Sequence, residues 1–348
     1  MCRYKKCLSF LIILLCLFLS ACEEIPPTPT PENDTGWYSL YFSKPTSPNT
    51  ASYRNGPDAA LATAIAEARV SVDAAIYDLN LWSIRNALIS AHRRGVTVRV
   101  VAESDNLEQK EIQELIEGGI QVLGDRREGA MHNKFVVIDR YEVWTGSMNF
   151  TFNGAYHNDN NLIRIRSSHL AEVYLTEFEE MFVLNLFGDS SPANTPNAVI
   201  TIEGTQVEVF FSPDDGTQAR IVELIHQAEK SIYFLAFTFT ADAIADALLE
   251  ADQRGVEVVG VVETSQASGT GGDFFRLADA GMAIELDGNP KNMHHKVMII
   301  DGEIVILGSY NFSASAEEKN DENTLIIHNV EIAEVFLVEF KRIYEMRQ

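Results

Sequence analysis

The stretch MHNKFVVIDRYEVWTGSMNF, from Met131 to Phe150, sets a histidine, a lysine, an aspartate, a serine and an asparagine around two runs that read as buried strand. Polar groups of this kind cost free energy to bury, so His132 and Lys134 at the head of an apolar strand call for an explanation. The pattern recurs as MHHKVMIIDGEIVILGSYNF, from Met293 to Phe312. His132 and His294, Lys134 and Lys296, Asp139 and Asp301, Ser147 and Ser309, and Asn149 and Asn311 all stand one interval apart (294 − 132 = 162). Polar landmarks copied without a gap mark an internal duplication.

Side chains alternate between the faces of a strand, so His132 and Lys134 point one way while Phe135 and Val137 point the other. Asp139 lies off the His132 face. Its counterpart is followed by glycine, and Asp-Gly is a hairpin signal, so the aspartates are expected to hold the turn behind the site. The returning strands, Val143 to Thr145 and Ile304 to Leu307, end in Gly-Ser-x-Asn, which puts Ser147 and Asn149 on one face. Each half thus presents an imidazole, an ammonium, a hydroxyl and a carboxamide at a hairpin end. A single H-x-K is usually a satisfied polar edge; two inside a duplication can meet around one pocket across a pseudo-twofold axis.

Such a set suits a phosphodiester. Two ammonium groups with hydroxyl and amide donors neutralise and fix the non-bridging oxygens where transition-state charge gathers. One neutral imidazole can attack phosphorus while the other, protonated, gives its proton to the leaving oxygen, with a phosphohistidine between the two steps. Lysine ammonium is not a metal ligand, and these spacings match no zinc pattern. Neither a metal nor another cofactor is expected.

Similarity extends beyond the hairpins. ALISAHRRGVTVRVVAES (Ala87 to Ser104) resembles ALLEADQRGVEVVGVVET (Ala247 to Thr264), each an amphipathic helix ending near a glycine before a Val-rich strand. Further helical patterns, Ala59 to Ala68 and Ala219 to Ala228, precede the strand-like VSVDAAIYDL and SIYFLAFTFT. Strands alternating with helices argue for sheets covered on both faces. GDSSPANTPNA (Gly188 to Ala198) reads as a linker, which divides the chain into half 1 (38–187), a linker (188–204) and half 2 (205–348).

The N-terminus is of another kind. Arg3, Lys5 and Lys6 precede an apolar run from Leu8 to Leu19, too short for a comfortable bilayer span, and LSAC follows, ending at Cys22. That order is an export signal, and LSAC resembles a bacterial lipobox, which implies cleavage after residue 21 and lipidation of Cys22. An uncleaved anchor and an ordinary signal peptide are the alternatives. All four cysteines (Cys2, Cys7, Cys16, Cys22) fall at or before that point, so the exported domain is expected to carry no disulfide. Residues 22–37, rich in proline, read as an extended spacer. Anchoring by acyl chains would hold the domain at the outer face of the cell membrane. The formal charge is −23, and loss of residues 1–21 removes three cations and no acids (−23 − 3 = −26). Proteins that track polyanions usually display a basic face, which disfavours nucleic acid as a partner, although acidity also keeps a surface enzyme soluble.

The paired H-x-K-x4-D-x6-G-S-x-N signature at His132–Asn149 and His294–Asn311 resembles that of the phospholipase D superfamily, and the similarity runs from about Tyr38 to Gln348. The resemblance implies an α/β fold of two duplicated halves, each a mixed sheet covered by helices, packed about a pseudo-twofold axis with one shared site. It implies metal-independent phosphodiester hydrolysis or transfer. In the family an acidic residue further along supports a histidine. Half 2 has NDEN with Glu322, whereas half 1 has NDNN with Asn160 at the matching place. If that carboxylate reaches across, as the family tends to, Glu322 orients His132 as the nucleophile and leaves His294 as the acid. A small backbone shift that lets Asp159 substitute for Asn160 is the alternative.

Other polar positions carry less. Glu103 and Glu263 occupy matching strand ends and read as caps or sheet edge; SQASGTGG (Ser265 to Gly272) reads as turns; Arg126, Arg127 and Lys291 either steer an anion or are solvated surface. Three functions follow: a surface-anchored phospholipase D acting on phospholipids, an exported nuclease, and a catalytically silent scaffold, with intact motifs in both halves against the last. The expected partners are a phospholipid or other phosphodiester and the membrane, with nucleic acid as the alternative substrate and no obligate protein partner.

Overall fold

The computed structural model describes residues 29–195 and 199–347. The export signal (1–21) and Cys22 lie outside the described residues. Two eight-stranded sheets carry the fold. In half 1 the strand order is Asn33–Asp34, Tyr38–Phe42, Asn161–Arg166, Glu142–Gly146, Lys134–Ile138, Ser71–Ile76, Thr97–Ala102, Gln121–Gly124. Half 2 repeats it strand for strand: Val199–Ile202, Thr205–Ser212, Glu322–His328, Ile304–Gly308, Lys296–Ile300, Ser231–Ala236, Glu257–Val262, Ala283–Leu286. In each sheet the last three strands are parallel and the rest antiparallel.

The parallel strands are apolar runs because both of their faces are covered. The helices between them stop where glycine permits: Trp82–Arg93 and Asp242–Gln253 are followed by Gly95 (φ 91°) and Gly255 (φ 90°), a left-handed conformation that costs other residues free energy.

Two boundaries differ from those read in the sequence. Asn33–Asp34, inside the predicted spacer 22–37, pairs with Ser39 and Leu40, and Val199–Ile202, inside the predicted linker 188–204, pairs with Thr205–Glu208. Both are edge strands of tight hairpins whose turns use the positive φ of Gly36 and Gly204. Asn33–Asp34 carries no apolar residue that could reveal a strand, whereas Val199–Ile202, Val-Ile-Thr-Ile, is strand-like in composition and extends half 2 to its N-terminal side.

The helices lie on both faces of each sheet. Two buried clusters belong to one half each, but a third draws on both halves. There Tyr174, on helix Ser168–Glu179, lies edge-on to Phe135 of its own half at 5.0 Å and to Phe211 of the other at 5.3 Å. Phe42 meets Phe336, on helix Val330–Glu345, at 5.3 Å. Burying each ring contributes about 1.5–3 kcal/mol, so the apolar interface fixes how the hairpin tips face each other. Among the described residues no helix is long and apolar enough to cross a membrane.

Candidate active site

Two short backbone pairings bring the motifs together. The N–H of His132 donates to Asp321 O (3.0 Å) and that of Asp321 to Ala130 O (2.9 Å); His294 donates to Asp159 O (2.9 Å) and Asp159 to Asn292 O (2.9 Å). The segment that opens the NDEN strand of half 2 therefore lies against the first motif, and the NDNN segment of half 1 lies against the second.

Each imidazole takes its partner from the opposite half. His132 Nδ1 stands 2.7 and 2.8 Å from the Glu322 carboxylate oxygens. His294 Nδ1 stands 2.9 Å from Asn160 Oδ1 and 3.1 Å from Ser147 O. Every one of these partners is an acceptor, which assigns the proton of a neutral ring to Nδ1 and leaves Nε2 with its lone pair. Asn160 itself fills the place; Asp159 does not substitute, because its carboxylate is held by Arg342 and Asn289, both at 2.6 Å.

The lysines sit beside the histidines. Lys134 Nζ donates to His132 O (2.6 Å) and lies 4.8 Å from the centre of the Tyr77 ring. Lys296 Nζ donates to His294 O (2.9 Å), contacts His294 Nε2 (3.2 Å) and lies 4.7 Å from the Phe237 ring. Tyr77 and Phe237 pack against the histidines at 4.6 and 4.4 Å, so one aromatic wall per half holds an imidazole and an ammonium together.

Electrostatics follow from burial. Desolvation pushes Lys134 down to about 7 although Glu322 and Asp78 oppose it, and burial with Lys134 nearby holds Lys296 well below its usual range. Burial and the two lysines hold both histidines well below theirs. Burial raises Glu322 to about 7 against the pull of Lys134. Such a pocket resists its own positive charge, and a bound phosphodiester anion relieves the repulsion.

The serines do other work than the sequence suggests. Ser147 Oγ donates to Asn160 Oδ1 (2.9 Å) and accepts from Asn161 N (3.1 Å); Ser309 Oγ accepts from Asn323 N (3.0 Å) and bonds to Glu322. Each hydroxyl braces the side chain that holds the opposite histidine, which corrects the reading of the serines as donors to phosphate oxygens. Asn149 and Asn311 are half-buried, and the Oδ1 of each has no hydrogen-bond partner among the described residues.

Asp139 and Asp301 stand at the far end of the motif strands. Both turn residues have positive φ (Asp139 52°, Arg140 56°; Asp301 54°, Gly302 68°). The Asp139 carboxylate accepts the backbone N–H of Arg69, Val70 and Ser71, and that of Asp301 those of Glu229, Lys230 and Ser231. They fix the sheet behind the site, the structural duty expected of them from the turn, and stand outside the reacting set.

Several contributors were missed or underrated. Glu103 and Glu263 accept the N–H of Met131 (2.8 Å) and Met293 (2.7 Å), the residues just before the histidines; their matched strand ends were the available signal. The residues between His and Lys also reach across. Asn323 donates to Asn133 (2.9 Å), while His295 stands 2.9 Å from Asn161 and 3.2 Å from Glu339. Arg127 is neither surface nor a steering group, being bonded to Asp321 and to Lys319 O. Arg126 and Lys291 are exposed, and Ser265 to Gly272 forms turns. Among the described residues no group of His, Cys, Asp and Glu is arranged to hold a metal ion.

Two stretches of the chain, 61–182 and 221–344, match the family model described as "Cardiolipin synthase, PLD-like domain". Among similar curated proteins, a phospholipase D of Rickettsia prowazekii is 34% identical over 140 residues, covering 40% of this chain and 68% of the relative. A mitochondrial cardiolipin hydrolase of Chlamydomonas reinhardtii is 27% identical over 175 residues, covering 43% of this chain and 78% of that protein. The phosphatidylserine synthase of Haemophilus influenzae superposes with a TM-score of 0.60 at 14% identity, over 82% of this chain and 83% of that one, a likeness of fold. The chain belongs to the phospholipase D superfamily, a class of phosphodiesterases, with a family domain in each half.

Proposed function

We propose that the chain is a phospholipase D-type enzyme that hydrolyses, or transfers, the phosphodiester bond of phospholipids through a phosphohistidine. The observation that carries the mechanism is the crossed pairing: each imidazole has its Nδ1 held by the other half, which turns the opposite nitrogen, Nε2, toward the lysine side, where on His294 it meets Lys296 Nζ. His132, backed by the Glu322 carboxylate, is the nucleophile, because an anion behind Nδ1 stabilises the positive charge that the ring acquires on bonding phosphorus. His294, backed by the neutral Asn160, is the acid that protonates the leaving oxygen. Once neutral, it takes a proton from the water or alcohol that attacks the phosphohistidine. Lys134 and Lys296 hold the non-bridging oxygens.

The names of the relatives, phospholipase D and cardiolipin hydrolase, and the net charge of −23 support a lipid substrate. The sequence of residues 1–22 supports an exported protein tied to the membrane by Cys22. The test gives purified protein phosphatidylcholine, cardiolipin, and single- and double-stranded nucleic acid in parallel, with His132→Ala as control. Release of choline or phosphatidic acid without nucleolysis is the expected result. Nucleolysis alone sinks the lipid assignment, and neither product sinks the enzyme assignment. A phosphohistidine trapped on His294 instead of His132 reverses the two roles.

A further inference from the structure

The segments that cross to the opposite histidine each begin with an aspartate, Asp159 and Asp321, at the duplication interval (321 − 159 = 162). Both are fully buried, and both carboxylates have two partners. Asp159 accepts from Asn289 and from Arg342; Asp321 accepts from Arg127 and from the N–H of Gly188 at 2.6 Å. Position 127 corresponds to 289 (289 − 127 = 162) and position 180 to 342 (342 − 180 = 162). The halves have thus placed their arginine at different positions. Half 1 has Arg127 where half 2 has Asn289, and half 2 has Arg342 where half 1 has Glu180. Each aspartate nonetheless keeps one guanidinium, supplied in both cases by the half it does not belong to.

Backbone geometry gives that pairing a consequence. Asp321 lends its carbonyl to His132 N–H and its own N–H to Ala130, and the next side chain along is Glu322. Asp159 does the same for His294, and the next side chain is Asn160. A buried carboxylate that loses its guanidinium must move or take up a proton. Asp321 would do so among Asp125, Glu177 and Asp214, whose charges it feels, with Arg127 Nε 3.7 Å from Asp125.

We propose that Arg127 and Arg342 are positioning residues: Arg127 acts through Asp321 to set Glu322 against His132, and Arg342 acts through Asp159 to set Asn160 against His294. The inference rests on the two-histidine reaction proposed above. Neither arginine touches the reacting atoms.

The test compares the full chain with Arg127→Gln, Arg127→Lys and Arg342→Lys. It measures kcat and KM on bis(p-nitrophenyl) phosphate across pH, the melting temperature, and the titration of the His132 ring by NMR of histidine-labelled protein. Arg127→Gln is expected to lower kcat roughly 100-fold, the scale of a misplaced reacting group, with KM nearly unchanged and the His132 titration moved to lower pH as its carboxylate drifts away. Arg127→Lys, which keeps the charge, recovers most of both. Wild-type kcat and an unmoved His132 titration in Arg127→Gln overturn the inference. So does a loss that follows melting temperature alone and is equal in Gln and Lys. If Arg127→Gln does not fold, the lysine variants decide by the same titrations, His132 for Arg127→Lys and His294 for Arg342→Lys, each shifted slightly if the inference holds and unmoved if it fails. An unmodified chain that does not turn over the diester refutes the reaction, while the His132 titration still judges the positioning role.

Discussion

At the scale of single residues, the asymmetry between Glu322 and Asn160 has the largest consequence. Replacing Glu322 with Gln keeps the shape and removes the charge behind His132. The expected loss in kcat is roughly 100- to 10,000-fold, the usual weight of a proton-handling group, measured by steady-state turnover of the wild-type substrate. Asn160→Glu places an anion behind His294. A carboxylate beside an imidazole favours the protonated ring, so His294 stays an acid to higher pH and the alkaline limb of the kcat profile moves upward. An unmoved limb refutes the acid role. Glu322 was singled out by the family resemblance, whereas the histidines and lysines could be read from the chain because residue type at a repeated spacing carries their chemistry. The duty of Ser147 could not, since a hydroxyl beside a pocket and a hydroxyl bracing Asn160 look alike in one dimension.

At the scale of elements, the turn aspartates tie a hairpin to the strand beside it. Asp139→Ala leaves backbone N–H groups of Arg69, Val70 and Ser71 without their acceptor. The expected cost is about 1–3 kcal/mol, seen as a lower urea midpoint with turnover per folded molecule retained. For Asp301, burial alone would raise the carboxyl, but the N–H groups of Glu229, Ser231 and Lys230 outweigh it and hold it below the usual carboxylate range. A lowered folded value means that this stability is present above the unfolded aspartate value of about 3.9 and is lost as pH falls through the lower folded value. Asp301→Asn is therefore expected to narrow its stability deficit in acid, followed by denaturation at a series of pH values. The helix-to-strand units were plain in the sequence because Arg-Gly-Val occurs at both junctions. The edge strand Asn33–Asp34 was hidden because a two-residue strand on a sheet edge is held by backbone partners and carries no apolar pattern.

For the whole molecule, the shared apolar cluster joins the halves into one cooperative body. A single calorimetric transition is expected, and two resolved peaks would refute it. Phe336→Ala, which opens a cavity against Phe42, is expected to cost about 3–5 kcal/mol and to lower that one transition. The sequence by itself determined that the chain is a duplication, that each copy carries His, Lys, Ser and Asn in a fixed order, and that the two copies differ at one supporting position. Which half backs which imidazole was decided only by tertiary structure. Hydrogen bonds act over about 3 Å, and His132 and Glu322, 190 residues apart, come within that range only because the two halves pack through a common apolar core.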